Sequence, residues 1–215
     1  MALSYRERPA EGGAAGGLLI LHHGRGADEL DLLGLGDALD PQRRLHVVTP
    51  RAPLTVPGMG GAHWYLVPRV GHPDPQTFLA AVGELAALHD ALWQQTGIPP
   101  ERTLLGGFSM GAVMSYALGL GAGRPAPAGI LAFSGFIPDA EGWEPDLAGR
   151  QGLRVLITHG RADAVIGADF GRAARDALAV GGLEVEYVEN AGGHQIGAEA
   201  LTAAKRWLEQ TPLSR

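Results

Sequence analysis

Short, uniformly apolar runs alternate along this chain with longer stretches in which apolar residues recur every three or four positions. A run with no polar alternation has no face to turn toward water, so it reads as a strand buried on both sides. Leu18-Leu19-Ile20-Leu21, Leu45-His46-Val47-Val48-Thr49-Pro50, the run Arg102-Thr103-Leu104-Leu105-Gly106, Gly129-Ile130-Leu131-Ala132-Phe133-Ser134 and Arg154-Val155-Leu156-Ile157-Thr158 fit this description. Glu184-Val185-Glu186-Tyr187-Val188 alternates instead, which puts it near a sheet edge, and Leu3 to Arg8 suits a short edge strand. Helical spacing predicts helices over Leu30–Leu39, Gln76–Thr96, Ala112–Leu118, Phe170–Val180 and Ala198–Gln210. In the second of these, Phe78, Leu79, Val82, Leu85, Leu88 and Leu92 lie near one face.

Strands alternating with helices predict an α/β fold whose mainly parallel sheet is covered by helices on both faces. Residues 1–215 read as one domain, long enough to bury a core without disulfides or metals. Glu11 to Gly17 reads as a Gly/Ala turn. Arg51 to Pro75 breaks the alternation: it carries five prolines after Pro50, several glycines and the pair Trp64-Tyr65. A loop this long inside a compact domain is usually functional or disordered.

Composition narrows the chemistry. A net charge of −6 leaves no basic footprint for nucleic acid and argues against anionic membrane surfaces. There is no cysteine, so disulfides, thiolate metal sites and a cysteine nucleophile are excluded. Met1 to Gly17 shows no apolar signal-peptide core, and no apolar run approaches the length of a membrane span, so a cytoplasmic protein is expected.

The candidate chemistry centres on Gly107-Phe108-Ser109-Met110-Gly111, set between an apolar run and a helix-prone segment. Gly-x-Ser-x-Gly is a weak signal alone in a chain with 33 glycines, but strand–turn–helix is the context a nucleophile elbow requires. A serine hydroxyl needs a base to take its proton and a carboxylate to orient that base. Asp163 follows the Arg154–Thr158 strand and His194 follows the Glu184–Val188 strand, so both fall where open α/β sheets place their sites. Asp139 and Asp169 are rivals for the acid, and Asp163 has a second reading as a solvated loop carboxylate or a helix cap. Two amides must then face the developing oxyanion: Met110 N–H from the elbow and, from the loop after Leu21, Arg25 N–H.

Four motifs in this order, His23-Gly24-Arg25-Gly26-Ala27-Asp28, Gly107-Phe108-Ser109-Met110-Gly111, His159-Gly160-Arg161-Ala162-Asp163 and Gly193-His194-Gln195-Ile196, resemble the phospholipase/carboxylesterase family of small α/β-hydrolases, which includes acyl-protein thioesterases. The resemblance implies an α/β-hydrolase fold without a separate lid domain. It implies Ser109, Asp163 and His194 as triad, the Arg25 and Met110 amides as oxyanion hole, and no metal or cofactor. Trp64, Tyr65 and Gly24 are expected to contact substrate, a small-molecule ester or thioester. Family members are often homodimers, with the Trp64-Tyr65 loop as the contact to consider, and no stable membrane association is expected. The chain departs from the family pattern at Met110, where glutamine is usual, at Ala112, where a glycine is usual, and at Arg25, where the residue is usually leucine-like. It departs again at Ala164-Val165-Ile166-Gly167, where the aspartate motif usually continues Pro-Val-Val-Pro.

Several of these residues have plainer readings. His22 and His23 suit metal ligation or, more simply, the closing of a buried strand and bracing of the loop that follows. Trp64-Tyr65 suits a pocket wall or core beneath a long loop. His63, His72 and His89 read as surface residues, and Arg25 and Arg69 as surface arginines or anion contacts. The expected function is carboxylester hydrolysis of short- to medium-chain acyl esters. Thioester or lysophospholipid cleavage by the same residues is the alternative, and a hydrolase-fold binder without turnover stands behind both.

Overall fold

The computed structural model describes residues 3–12 and 15–213. Seven strands, β1 (Tyr5–Arg8), β2 (Gly17–His22), β3 (Leu45–Pro50), β4 (Thr103–Phe108), β5 (Gly129–Phe133), β6 (Arg154–Gly160) and β7 (Glu184–Asn190), form one sheet in the order β1-β3-β2-β4-β5-β6-β7. All neighbours are parallel except the edge strand β1, which runs antiparallel to β3 with Tyr5 opposite Pro50. Residues 13 and 14 of the expected Glu11–Gly17 turn lie outside the described residues.

Five helices cover the sheet: α1 (Leu33–Leu39), α2 (Pro75–Thr96), α3 (Met110–Leu120), α4 (Ala168–Val180) and α5 (Ala198–Gln210). Period-2 alternation sorts the strand side chains between them. Leu18, Ile20, Leu105, Ile130, Ala132, Val155 and Ile157 face α2, α3 and α4, while Leu19, Leu21, Leu131, Phe133 and Leu156 face α1 and α5. Both faces of the central strands are therefore dry, which is why those segments carry no polar alternation. α2 begins at Pro75, one residue before the expected start: Asp74 Oδ1 accepts Thr77 N–H at 2.9 Å, and proline suits the first helical position.

The strand order reverses direction between β2 and β4, since β2 leads outward to β3 and β4 leads the other way to β5. Crevices at the carboxyl ends of strands flanking such a reversal are where open α/β sheets bind ligands. The loop after β2 and the turn after β4 meet there.

Candidate active site

β4 ends at Phe108, and α3 begins at Met110, so Ser109 alone makes the turn. Its backbone adopts φ 57° and ψ −120°, outside the ordinary regions for an L-residue, at a cost of about 1–3 kcal/mol. Ser109 N–H donating to Phe133 O at 2.8 Å helps hold that conformation. The flanking glycines are required by close approach. A Cβ on Gly107 would sit 2.4 Å from Gly111 C, and one on Gly111 would sit 1.9 Å from His22 O.

His194, in the loop after β7, brings Nε2 to 2.9 Å from Ser109 Oγ and Nδ1 to 2.7 Å from Asp163 Oδ2. An ionised carboxylate only accepts, so the Nδ1 proton belongs to the Asp163 bond, and Nε2 faces the serine with its lone pair. The other oxygen, Asp163 Oδ1, accepts Val165 N–H and Ile166 N–H, each at 2.9 Å. Burial works to raise the Asp163 carboxyl, but the hydrogen bond from His194 and the Ile166 and Val165 amides outweigh it and hold it below the usual carboxylate range. Asp163 caps no helix: the residue preceding α4 is Gly167, with no side-chain cap bond. The rivals lie elsewhere in their contacts. Asp139 is exposed and pairs with His72 Nδ1 at 3.0 Å, and Asp169 is exposed in the first turn of α4.

His159, fully buried, supports the acid from behind. Its Nε2 lies 2.8 Å from Ile166 O and 3.6 Å from Asp163 Oδ2, while Nδ1 has no partner. The hydrogen therefore sits on Nε2, tying the Asp163–Ile166 turn to β6.

Among the described residues, neither the Met110 nor the Arg25 amide donates to another protein group, whereas the adjacent Gly26 N–H bonds Ala62 O at 2.9 Å. Met110 N–H also lies at the positive end of α3. The loop carrying Arg25 is braced as the simpler reading of His23 expects. His23 Nδ1 lies 2.7 Å from Gly24 O, and its Nε2 accepts Ala52 N–H at 3.0 Å. Burial lowers the His23 pKa, consistent with a ring that accepts at Nε2. Among the described residues, no group of three or more histidines and carboxylates is arranged to hold a metal.

Trp64 and Tyr65 divide between their two readings. Trp64 is fully buried: its Nε1–H donates to His23 O at 2.9 Å and its ring stacks at a tilt, 5.1 Å from His23, so it braces the loop from beneath. Tyr65 borders the cleft above Ser109, and burial pushes its hydroxyl pKa up. Gly24 lies against the Phe108 ring, where a Cβ would come within 3.1 Å, and is not part of the cleft lining.

The cleft has a volume of about 60 Å³ and is lined by Ser109 and Met110 together with Arg25, Tyr65, Val67, Val70, Phe136, Val165 and Ile166. Met110 fills more than a backbone role, because its Sδ accepts Trp64 N–H at 3.3 Å. Larger hollows lie away from Ser109, one of about 650 Å³ lined by Leu3, Ala80 and Leu88 among others and one of about 500 Å³ lined by Gly16, Arg44, Leu45 and Arg102 among others.

Two histidines expected at the surface are buried. His89 occupies the α2 face between Leu85 and Leu92, and His63 is buried within the Arg51–Pro75 loop itself. His89 Nε2 approaches His22 Nε2 at 3.4 Å, His22 Nδ1 lies 2.9 Å from Ser115 Oγ, and Ser115 donates to Gly111 O at 3.0 Å. That chain runs from α2 through β2 to the elbow. Its direction follows from the last link: Ser115 has spent its proton on Gly111 O, so His22 Nδ1–H donates to Oγ and His22 Nε2 accepts from His89. His72, the third, is half-exposed.

Residues 9–211 match the Phospholipase/Carboxylesterase family. The chain is 27% identical over 210 residues to acyl-protein thioesterase 1 of Yarrowia lipolytica, covering 89% of this chain and 90% of that protein. The crystal structure of esterase PE8 superposes with a TM-score of 0.83 at 29% identity, covering 99% of this chain and all, 100%, of the other. A carboxylesterase from Mesorhizobium loti gives a TM-score of 0.82 at 25% identity, covering 98% of this chain and 96% of its own. With the α/β-hydrolase sheet and the match over nearly its full length, the chain belongs to the phospholipase/carboxylesterase family.

Proposed function

We propose that the protein hydrolyses short- to medium-chain acyl esters through an acyl-enzyme on Ser109. The observation that carries this reading is the continuous pair of hydrogen bonds from Asp163 through His194 to Ser109. His194 Nε2 takes the Oγ proton as Ser109 attacks the ester carbonyl, and the oxyanion is bound by the amides of Arg25 and Met110. The tetrahedral intermediate collapses as His194 passes that proton to the leaving alcohol. His194 then deprotonates water, which attacks the acyl-enzyme, releases the carboxylic acid and restores Ser109. Asp163 stays ionised throughout, orienting the ring and stabilising its cationic form.

The small apolar cleft supports acyl groups of a few carbons, with longer chains running out along the exposed rim of Val70 and Val165. Among the described residues no inserted segment is large enough to form a lid domain over Ser109, so activity is expected to rise smoothly with substrate, without a jump at an oil–water interface. Thioester cleavage is the second reading, favoured by the thioesterase names of the sequence relatives. Rates on p-nitrophenyl esters and matched acyl thioesters from two to twelve carbons separate the two. The expected result is a maximum at short esters, with Ser109→Ala losing nearly all of it. A maximum on long-chain thioesters transfers the assignment to the second reading, and full activity in Ser109→Ala overturns both.

A further inference from the structure

Arg25 is the one charged side chain among the residues lining the cleft. Elsewhere the chain's arginines commonly face carboxylates, as Arg8 faces Asp40 at 3.1 Å and Arg124 faces Asp90 at 2.8 Å. The carboxylates nearest in sequence to Arg25 are committed to another partner: Glu29 and Asp28 lie 2.9 and 3.9 Å from Arg51 Nη1. Arg25 forms no salt bridge among the described residues. Its guanidinium instead reaches the thioether of Met59 at 3.5 Å, a weak neutral acceptor on an exposed part of the long loop. A guanidinium offers a planar fork of five donors suited to a carboxylate, and here that fork belongs to a residue lining an apolar cleft and meets no carboxylate among the described residues. The charge is felt by the neighbours: after burial, Arg25 is the next cause lowering the His63 pKa.

We infer that Arg25 is a specificity residue, and that the ester it selects carries an anionic group, a carboxylate or similar oxyanion, a few bonds from the scissile carbonyl. The inference rests on the hydrolase reading above, because it supposes that the carbonyl sits between Ser109 Oγ and the Arg25 amide. The same residue would then set both ends of the substrate. Its amide faces the carbonyl oxygen, and its side chain, one arginine length away, faces the anion. Val67, Val70, Phe136 and Ile166 supply no competing charge, so an uncharged acyl ester gains nothing from the guanidinium while an anionic one does.

The anion has two places to sit, on the acyl side or on the alcohol side, and two substrate pairs distinguish them. Mono-p-nitrophenyl adipate against p-nitrophenyl hexanoate tests the acyl side, and 3-acetoxybenzoate against phenyl acetate the alcohol side. The readout is the ratio of kcat/KM, anionic over neutral, within each pair, in wild type, Arg25→Gln and Arg25→Glu. Both variants keep the amide and change only the side chain. In one of the pairs the ratio is expected to fall about tenfold in Arg25→Gln and further in Arg25→Glu. Raising ionic strength should lower the wild-type ratio and leave that of Arg25→Gln nearly flat. Ratios that do not change in either pair, or an equal slowing of both members of each pair, overturn the inference. Failure of the underlying hydrolase reading looks different: Ser109→Ala would still turn over both members of a pair, whatever Arg25 does to their ratio.

Discussion

Asp163 illustrates how much of the proposed site depends on single atoms. One oxygen fixes the His194 tautomer and the other takes two amides of its own turn, with His159 tied to the same turn through Ile166 O. Replacing Asp163 by Asn keeps the size but adds an N–H donor, which favours the ring with its hydrogen on Nε2 and removes the lone pair that faces Ser109. We expect Asp163→Asn to lower kcat about 10³- to 10⁴-fold with a much smaller change in KM, measured by steady-state kinetics near pH 8. A loss of less than tenfold would mean that Asp163 orients nothing. The wild-type carboxyl is held below its ordinary range, so the relay is expected to keep its charge at pH values where a free aspartate begins to protonate.

At the scale of elements, the sequence was most informative where one physical requirement dominated. The buried strands were legible because both faces are dry, and α5 runs over Ala198–Gln210, the span that its apolar spacing predicts. The elbow was legible because Gly107 and Gly111 touch backbone atoms of neighbouring elements, a constraint that leaves glycine as its trace. The cleft wall was not legible. Val67 and Val70 come from the irregular loop, Phe136 from the segment after β5, and Val165 and Ile166 from the Asp163 turn. None lies on a periodic element, so no spacing marks them. His89 was obscured for another reason. It stands four residues after Leu85 and three before Leu92, on the core face of α2, but a titratable side chain suggests water unless a buried partner is known. That partner, His22, is distant in sequence on β2.

For the molecule as a whole, these buried histidines link stability to pH. Burial is the main cause that pushes His89 down to about 3, with the charge of Arg124 adding to it, and burial together with His89 and His23 holds His22 well below its ordinary value. An unfolded histidine binds its proton near pH 6.5, so below that pH the unfolded chain carries protons that the folded chain refuses. The resulting stability is fully present above pH 6.5 and is lost as the pH falls toward 3. Each such histidine contributes a slope of up to about 1.4 kcal/mol per pH unit. Tm followed by circular dichroism should therefore drop steadily from pH 7.5 to pH 4.5, and His89→Gln should flatten the decline. A Tm that is flat or rises over this range would contradict the buried pair. Most of this loss falls at pH values above those at which the Asp163 carboxyl, held below its ordinary range, is expected to protonate, so activity should fail on the acid side through unfolding before Asp163 is neutralised.

The proposed mechanism turns on one atom, Ser109 Oγ, whose reactivity would depend on the hydrogen bond it donates to His194 Nε2. Incubating the folded protein with a fluorophosphonate ester and mapping the adduct by peptide mass spectrometry tests that dependence most directly. The account predicts a single adduct, on Ser109, forming rapidly in wild type and drastically slowed in His194→Ala. No adduct on folded protein, or one on a different serine, would contradict it.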